Sequence, residues 1–225
     1  MKNKILSEDF YKQDAVTVAR KLIGKILCVE TPDGIVKKRI TETEAYYGTD
    51  DTACHAHKGR TKRTENMFRK GGITYIYLCY GMYDMLNVVT GDEDFPEAVL
   101  IRGTENYNGP GKLTKALHIT RELNGIDLTK KEKIWIEDDG FKAEYQCGKR
   151  IGINYATEEY KNKDWRFIMK KASILKTALF LAITAALTLI AGACGPEDCF
   201  EKQSYTPSNI HNAAPGATPT VESDC

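Results

Sequence analysis

The feature that most restricts the fold is a succession of short strand-like segments, bounded by turn residues, within the first 168 of the 225 residues. Segments 25–30 and 35–46 flank a Pro-Asp-Gly turn that starts at Pro32, which predicts a β-hairpin. Further strands are predicted at residues 72–80, 84–90, 98–102, 133–137 and 165–169. This pattern disfavours a regular alternation of parallel strands and helices.

Two helices are predicted among these strands. Residues 15–23 follow Asp14, whose carboxylate can cap the first turn, and precede Gly24, which can end the helix. Residues 112–120 follow an Asn-Gly-Pro-Gly turn. Hydrophobic residues make up 42% of the chain, which is enough for a sizeable core. The sequence therefore predicts a mixed α+β domain with many hairpins.

Residues 40–48, ITETEAYYG, read as a strand that carries two carboxylates. Because side chains alternate along a strand, Glu42, Glu44 and Tyr46 share one face, with the carboxylates roughly 7 Å apart. One interpretation is an exposed face with solvated carboxylates. The other is an active-site wall, because a desolvated carboxylate beside a tyrosine suits general base catalysis. The opposite face, with threonine at 41 and 43 and alanine at 45, does not resemble a core face.

A second aromatic segment, residues 74–87, reads TYIYLCYGMYDMLN. Its residues 80–83, Tyr-Gly-Met-Tyr, fall where a hairpin must turn, although turns normally take polar residues and glycine. Large apolar side chains at such a tip either fold back onto the domain or act as a wedge between stacked bases. The residues alone leave both interpretations open.

Other polar residues carry weaker signals. Cys54, His55 and His57 lie close together, but no further Cys/His pair offers zinc-ligand spacing, so we expect no metal site. Arg102 ends the apolar segment AVLIR, where it either caps a strand or lies beside a carboxylate and holds a water.

Charge is distributed unevenly along the chain. The formal net charge is only +1, yet residues 55–70 contain six lysines and arginines against a single acid. Such a segment could contact a polyanion. Charge alone favours a solvated polar loop.

The composition changes near residue 169. Residues 169–194 combine a lysine-rich start, an apolar core and small residues before Cys194, as a lipoprotein signal peptide does. Residues 195–225 resemble a disordered linker. Three accounts remain open: a second reading frame joined to the first, which we favour, a membrane anchor, or a buried helix. The apolar core is short for a membrane span, which needs about 20 residues.

The seven cysteines bear on the compartment. Cys28, Cys54, Cys79 and Cys147 are scattered, and we interpret them as thiols of a reducing compartment. The first ten residues show no signal peptide. We therefore expect a cytoplasmic protein.

The chain resembles the alkyladenine (3-methyladenine) DNA glycosylase family over about residues 5–168. Five segments carry the resemblance, in order: ITETEAYYGTDDTACHAHKGRTKRTENMF, GITYIYLCYGMYDMLNVV, AVLIRGTE, NGPGKLTKAL and RIGIN…DWRFI. The resemblance implies a single α+β domain, residues 1–168, with a curved, mostly antiparallel sheet and a protruding β-hairpin that inserts into DNA. Residues 169–194 and 195–225 stand outside it as an apolar helix and a disordered tail.

The resemblance implies a role for each matching position. Glu44 corresponds to the general base that activates water, Glu42 to an acidic neighbour, and Arg102 to the partner that holds the water. The implied base-binding pocket consists of Tyr46, His55, Tyr77, Asn87 and Ile153. In that pocket the three rings sandwich the base, the asparagine disfavours guanine, and the isoleucine supplies a backbone carbonyl to the water.

The DNA-contacting positions follow in the same way. Tyr80 corresponds to the side chain that fills the gap left in the base stack, with Met82 beside it at the hairpin tip. Lys58, Arg60 and Lys112 are the implied phosphate contacts.

The implied activity is that of a monofunctional DNA glycosylase without metal or organic cofactor. It flips a damaged purine out of duplex DNA and hydrolyses its N-glycosidic bond, which starts base excision repair. We expect a monomer without an obligate protein partner, located with the nucleoid DNA, and membrane contact only if residues 169–194 are a real anchor. The alternative is a non-catalytic nucleic-acid-binding module. Glu44 and Arg102 favour the enzyme, because a binding module needs neither.

Overall fold

Ten strands dominate residues 3–170, the part of the chain that the computed structural model describes. In chain order they are β1 (Lys4–Ile5), β2 (Ile26–Thr31), β3 (Gly34–Tyr47), β4 (Thr74–Cys79), β5 (Tyr83–Val89), β6 (Glu97–Thr104), β7 (Tyr107–Asn108), β8 (Ile134–Asp138), β9 (Tyr145–Gly148) and β10 (Arg166–Met169). The predicted strands are all present, whereas β1, β7 and β9 are additional short strands.

The strands form an open sheet whose main path runs β1, β8, β2, β3, β6, β5, β4. From this path, β10 pairs with both β3 and β9, and β7 pairs with β6. Every strand pairing within residues 3–170 is antiparallel. These pairings confirm a mixed α+β domain with a mostly antiparallel sheet. They also make β3 a central strand, paired with β2, β6 and β10 along its length.

Short helices fill the connections between strands. They are α1 (Glu8–Tyr11), α2 (Ala15–Leu22), α3 (Pro110–Ala116) and α4 (Glu158–Lys161), with 3₁₀ turns at His55–Lys58, Glu65–Phe68 and Arg121–Leu123. Helix α2 begins as predicted, because the Asp14 carboxylate accepts a bond from the Thr17 amide at 2.9 Å. Helix α3 ends at Ala116, earlier than predicted, and His118 beyond it takes a left-handed φ of +54°.

The core forms where α2 packs against β3. Val18, Ala19 and Leu22 of the helix are fully buried and share one cluster with Ile101 of β6 and Phe167 of β10. Burial of each large apolar side chain stabilises the fold by roughly 1.5–3 kcal/mol. The helix therefore fixes β3, β6 and β10, the strands that carry Glu44, Arg102 and Arg166.

The second face of β3 belongs to this core, so the interpretation of that face as unlike a core was wrong. Thr43 and Ala45 are both 0% exposed. The Thr43 hydroxyl donates a hydrogen bond to the Ala19 carbonyl in α2 at 2.9 Å. A threonine can lie in a core when its hydroxyl has such a partner. Both faces of this strand are consequently buried, and the two glutamates lie inside the protein.

The basic segment 55–70 is more ordered than the solvated loop that its charge favoured. Its two 3₁₀ turns bury Ala56, Met67 and Phe68, while Lys58 and Arg63 remain exposed. The apolar residues hold the segment against the sheet in a cluster with Tyr75 and other side chains. Its positive charges are therefore displayed on an anchored surface.

Strands β4 and β5 form a hairpin, paired from Thr74 with Val88 to Cys79 with Tyr83. Tyr80 and Gly81 have φ values of +50° and +68°, and the Met82 amide donates to the Cys79 carbonyl at 3.1 Å. Two successive positive φ values are typical of the type I′ turn that suits a twisted hairpin. Tyr80 is 87% exposed and Met82 70% exposed, so neither side chain folds back into the core.

The predicted segments 169–194 and 195–225 lie outside the described residues, apart from the first two positions. Met169 is the last residue of β10, and the Lys170 amide donates to the Glu144 carbonyl at 2.8 Å. Among residues 3–170, we find no helix of the length and apolar character that a membrane crossing needs.

Candidate active site

Glu44 is a fully enclosed carboxylate of the candidate site. It lies in β3 opposite Leu100 of β6 and Arg166 of β10, and its side chain is 0% exposed. One carboxylate oxygen accepts the Ile151 amide at 2.8 Å and lies 3.5 Å from Nε of Arg102. The other accepts the Tyr46 hydroxyl at 3.0 Å. Burial raises the pKa of Glu44, and the charge of Arg102 only partly opposes it.

Glu42 differs from Glu44 in its charge partners. Its Oε1 accepts bonds from Nε of Arg102 at 2.9 Å and from Nε of Arg166 at 2.6 Å. The pairing of β3 with β6 is irregular around Glu42, and such a bulge redirects side chains locally. Arg102 thus lies beside both carboxylates, as predicted for Glu44, but it is closer to Glu42. Sequence reasoning missed Arg166, whose partner lies 124 positions away.

The segment around RIGIN contacts Glu44 through a backbone amide that the sequence analysis did not single out. The amide of Ile151 contacts the carboxylate, whereas Ile153 is buried beside Ala53 and Ala156. The Ile153 carbonyl accepts the Ala156 amide at 2.9 Å, which leaves one lone pair for a further partner. The contact between the Ile151 amide and Glu44 does not depend on the type of side chain at position 151, so the sequence could not reveal it.

A buried ion pair locks this segment to the loop after β3. The guanidinium of Arg150 donates to both oxygens of Asp51, at 2.6 and 2.9 Å, and both side chains are 0% exposed. It also donates to the Ala45 carbonyl at 2.9 Å and lies 4.8 Å from the Tyr46 ring centroid. Bidentate pairs of this kind fix geometry. Arg150 therefore helps to keep the Tyr46 ring and the Ile151 amide within hydrogen-bonding distance of Glu44.

Four of the five predicted pocket residues line one cavity. Tyr46, His55, Tyr77 and Asn87 enclose it, with about 310 Å³ of empty space that includes an opening to solvent. The remaining lining residues are Ala53, Met67, Tyr75, Ala98 and Tyr155. Ile153 lies outside this lining. Glu44 is connected to the cavity by its hydrogen bond with the Tyr46 hydroxyl.

His55 forms an uncharged wall of this cavity. Its Nδ1 lies 3.1 Å from the Tyr75 hydroxyl, and its ring meets Tyr77 edge-on, with ring centroids 4.3 Å apart. Burial, reinforced by the nearby charge of Arg63, lowers the pKa of His55 to about 4. The imidazole is therefore neutral at physiological pH and can offer its remaining nitrogen to a ligand.

Asn87 is held in a single orientation in the cavity wall. Its amide nitrogen donates to the Tyr75 carbonyl at 3.0 Å and to the Met85 carbonyl at 3.1 Å. Both N–H groups are thus engaged, and the side chain is buried. A fixed wall of this kind can exclude a ligand by shape as well as by hydrogen bonding.

The three residues predicted to contact phosphates all lie on the surface, but they differ in whether they form ion pairs within the protein. Lys58 and Lys112 are exposed. Arg60 is exposed too, but it forms ion pairs with Asp94 and, at 3.5 Å, with Glu65. It would have to leave these carboxylates in order to bind a phosphate.

An aromatic cavity next to a desolvated carboxylate and an arginine is suited to hold a planar ligand and to activate a water beside it. Hydrolysis at a bound ring system is a reaction that this arrangement suits. The sequence profile of the methylpurine-DNA glycosylase (MPG) family matches residues 9–108 and 104–173. The chain belongs to this family.

Curated relatives align with most of the chain. A protein of Sodalis glossinidius is 47% identical over 174 residues, which cover 74% of this chain and 98% of the relative. One from Ehrlichia chaffeensis is 46% identical over 185 residues, covering 78% and 98%. One from Borrelia garinii subsp. bavariensis is 45% identical over 174 residues, covering 72% and 94%. All three carry the provisional name 3-methyladenine DNA glycosylase.

Proposed function

We propose that the protein is a monofunctional DNA glycosylase that flips alkylated or deaminated purines out of duplex DNA and hydrolyses their N-glycosidic bond. Membership of the methylpurine-DNA glycosylase family and the names of its relatives support this class of activity. The single observation that carries the proposal is the position of Glu44, fully buried beside Arg102 and bonded to a wall of the aromatic cavity.

The cavity receives the flipped base in this mechanism. Tyr46, His55 and Tyr77 provide aromatic faces and edges on which a planar purine stacks. Asn87, held by two backbone carbonyls, opposes the extra amino group of guanine. Extrusion of a base costs a few kcal/mol and costs least at a damaged or mispaired base, which adds to the selectivity.

Hydrolysis depends on Glu44 as the general base. Its carboxylate removes a proton from water as the water attacks the sugar carbon, and the purine leaves with the electrons of the glycosidic bond. The transition state resembles an oxocarbenium ion, so the nearby negative charge also stabilises it. Arg102 positions the water and the carboxylate, while Glu42 and Arg166 balance the charge behind it.

The hairpin tip and the surface cations provide the contacts with DNA. Tyr80 and Met82 enter the duplex and fill the space that the flipped nucleotide leaves, which covers their exposed apolar surface. Lys58, Lys112 and, once released from its carboxylates, Arg60 bind phosphates. No metal or organic cofactor takes part, and the enzyme acts as a monomer, with residues 1–168 as its catalytic domain and cytoplasmic duplex DNA as its partner.

A non-catalytic nucleic-acid-binding module is the competing proposal. Such a module would use the hairpin, the cations and the aromatic cavity in the same way. It has no use for a carboxylate whose pKa is raised by burial beside an arginine. The glycosylase therefore accounts for more of the site.

Base release from a defined duplex tests the proposal. We expect the protein to liberate free hypoxanthine or 3-methyladenine in the presence of a chelator, and to leave an abasic site that breaks only after alkali treatment. Tight binding of the same duplexes without release of any base, across a panel of damaged purines, would establish the binding module instead. Strand cleavage without alkali would contradict the monofunctional mechanism.

A further inference from the structure

Arg63, an exposed residue without a role in the mechanism above, lies over the ring of Tyr77, which lines the aromatic cavity. We infer that Arg63 determines lesion specificity by its charge, disfavouring cationic alkylated purines relative to neutral deaminated ones. The inference rests on the proposed glycosylase function and concerns which damaged base the same cavity accepts.

The guanidinium of Arg63 lies against one wall of the cavity. Its central carbon is 5.3 Å from the ring centroid of Tyr77. Tyr77 in turn meets His55 with ring centroids 4.3 Å apart, and both rings line the cavity. Arg63 also lines the adjoining surface groove, which shares His55 and Tyr155 with the cavity. The charge is thus next to residues that line the cavity.

The charge of Arg63 is not neutralised locally. Among residues 3–170, no carboxylate lies within ion-pair distance of Arg63, whereas Arg60 on the same segment pairs with Asp94 and Glu65. The field of Arg63 reaches the cavity wall, since it contributes to the lowered pKa of His55. A cation that disfavours protonation of His55 must also disfavour a cationic base beside that ring.

The chemistry of the lesions makes this effect selective. Alkylation at a ring nitrogen gives the purine a positive charge, whereas deamination gives neutral hypoxanthine. A cationic base would stack on the Tyr77 ring whose electron-rich face already attracts Arg63. Repulsion between the two cations weakens binding of the alkylated base only. Arg63 is exposed and therefore screened by salt, so we expect an effect of about three- to tenfold.

Single-turnover rates on two matched duplexes test the inference, one with 7-methylguanine and one with hypoxanthine. After subtraction of spontaneous release, the rate for 7-methylguanine is divided by the rate for hypoxanthine. This ratio should rise about three- to tenfold in Arg63→Ala. It should stay near the parent value in Arg63→Lys, which keeps the charge. In the parent protein the ratio should rise with added salt, whereas in Arg63→Ala it should depend on salt much less.

Lys62→Ala is the matched control, because it removes one exposed positive charge next to Arg63 in the sequence, at a residue that lines neither the cavity nor the surface groove. Any loss of DNA binding there should slow both reactions equally and leave the ratio unchanged. An unchanged ratio in Arg63→Ala, or an equal rise in Arg63→Lys, would overturn the inference while leaving the glycosylase intact. Failure of the parent protein to release either base would instead remove the proposed function itself.

Discussion

Glu42 and Glu44 are two residues apart in one strand, yet their surroundings differ in charge. Glu42 binds two arginines at hydrogen-bond distance, which holds it as a counter-ion. Glu44 lies 3.5 Å from Arg102, which it shares with Glu42. Its other partners are the Tyr46 hydroxyl and a backbone amide, which both donate hydrogen bonds to it. Burial raises the pKa of Glu44, which is consistent with the general-base role proposed for it.

Replacement of Arg102 should move the acid limb of the pH–rate profile. A general base works as a carboxylate, so the rate should fall as the pH drops through the pKa of Glu44. Burial raises this pKa and the charge of Arg102 opposes the rise. In Arg102→Gln the pKa of Glu44 therefore rises further, and activity should be lost at a higher pH than in the parent.

Single-turnover release of hypoxanthine as a function of pH measures this shift. Arg121→Gln is the control, because Arg121 is an exposed arginine that pairs with Asp84 instead. An acid limb at the same pH in Arg102→Gln and in the parent would mean that Arg102 does not act on the base.

The residues of the aromatic wall could be predicted from the sequence, whereas their supports could not. Glu44, Tyr46, His55 and Tyr77 lie in segments whose residue types suggest chemistry or carry the family resemblance. Arg150 looks like any charged loop residue, and its partner Asp51 is 99 positions away. Such pairs form only when the fold brings distant segments together.

At the scale of elements, the β4–β5 hairpin has an exposed aromatic residue, Tyr80, in a backbone conformation that lowers stability. Tyr80 has a left-handed φ of +50°, which is unfavourable by roughly 1–2 kcal/mol for a residue with a Cβ atom. Asparagine or glycine would suit this turn better. A large aromatic residue in that position is consistent with a function outside the folded domain.

Tyr80→Asn should therefore stabilise the protein and weaken its binding to DNA. We expect the free energy of unfolding to rise by about 1 kcal/mol, because asparagine tolerates the left-handed conformation. Affinity for a duplex with a single damaged purine should fall, since asparagine is too short to fill the base stack as we propose for Tyr80. Urea unfolding and fluorescence anisotropy measure the two effects.

Lys133→Asn provides the comparison on another turn. Lys133 is also exposed and has a φ of +53°. This variant should be stabilised similarly and should bind the duplex as the parent does. Equal binding by Tyr80→Asn and the parent would contradict insertion of the tip into DNA.

The elements themselves followed from sequence patterns where the pattern was strong. The capped helix α2, the β2–β3 hairpin and the apolar strand β6 all appear near their predicted positions. The strand β9 was missed, because the segment Tyr145–Gly148 has no clear alternation and becomes a strand only through pairing with β10. The buried face of Thr43 was missed since its hydroxyl partner lies in α2.

At the scale of the whole molecule, a buried carboxyl group links the start of α2 to the sheet. Glu97 at the start of β6 is 4% exposed and accepts a hydrogen bond from the Ala15 amide. Burial, and to a smaller extent the charges of Asp14 and Asp92, raises the pKa of Glu97 to about 7. The folded protein therefore holds this proton more tightly than the unfolded chain.

The contribution of Glu97 to stability should consequently fall as the pH rises. Because the folded pKa is raised from 4.5 to about 7, the contribution of the protonated group is complete below 4.5 and lost by about 7. The loss is on the order of 3 kcal/mol. Glu97→Gln keeps an oxygen acceptor for the Ala15 amide but does not titrate, so its stability should change less with pH.

Urea unfolding at pH 5 and pH 8 checks this expectation. Glu97→Gln should be close to the parent at pH 5 and more stable than the parent at pH 8. Glu93→Gln, an exposed acid on the preceding loop, should follow the parent at both values. A stability difference between Glu97→Gln and the parent that is the same at pH 5 and pH 8 would show that Glu97 is already ionised in the fold at pH 5.

The assignment of Glu44 as the base is tested most directly by single-turnover base release from Glu44→Gln. On a duplex with hypoxanthine, we predict a rate at least about 10²-fold below the parent, with binding of the damaged duplex retained. Glu122→Gln, a change at an exposed glutamate of the Arg121–Leu123 turn, should release the base at the parent rate. Release by Glu44→Gln at the parent rate would contradict the proposed mechanism.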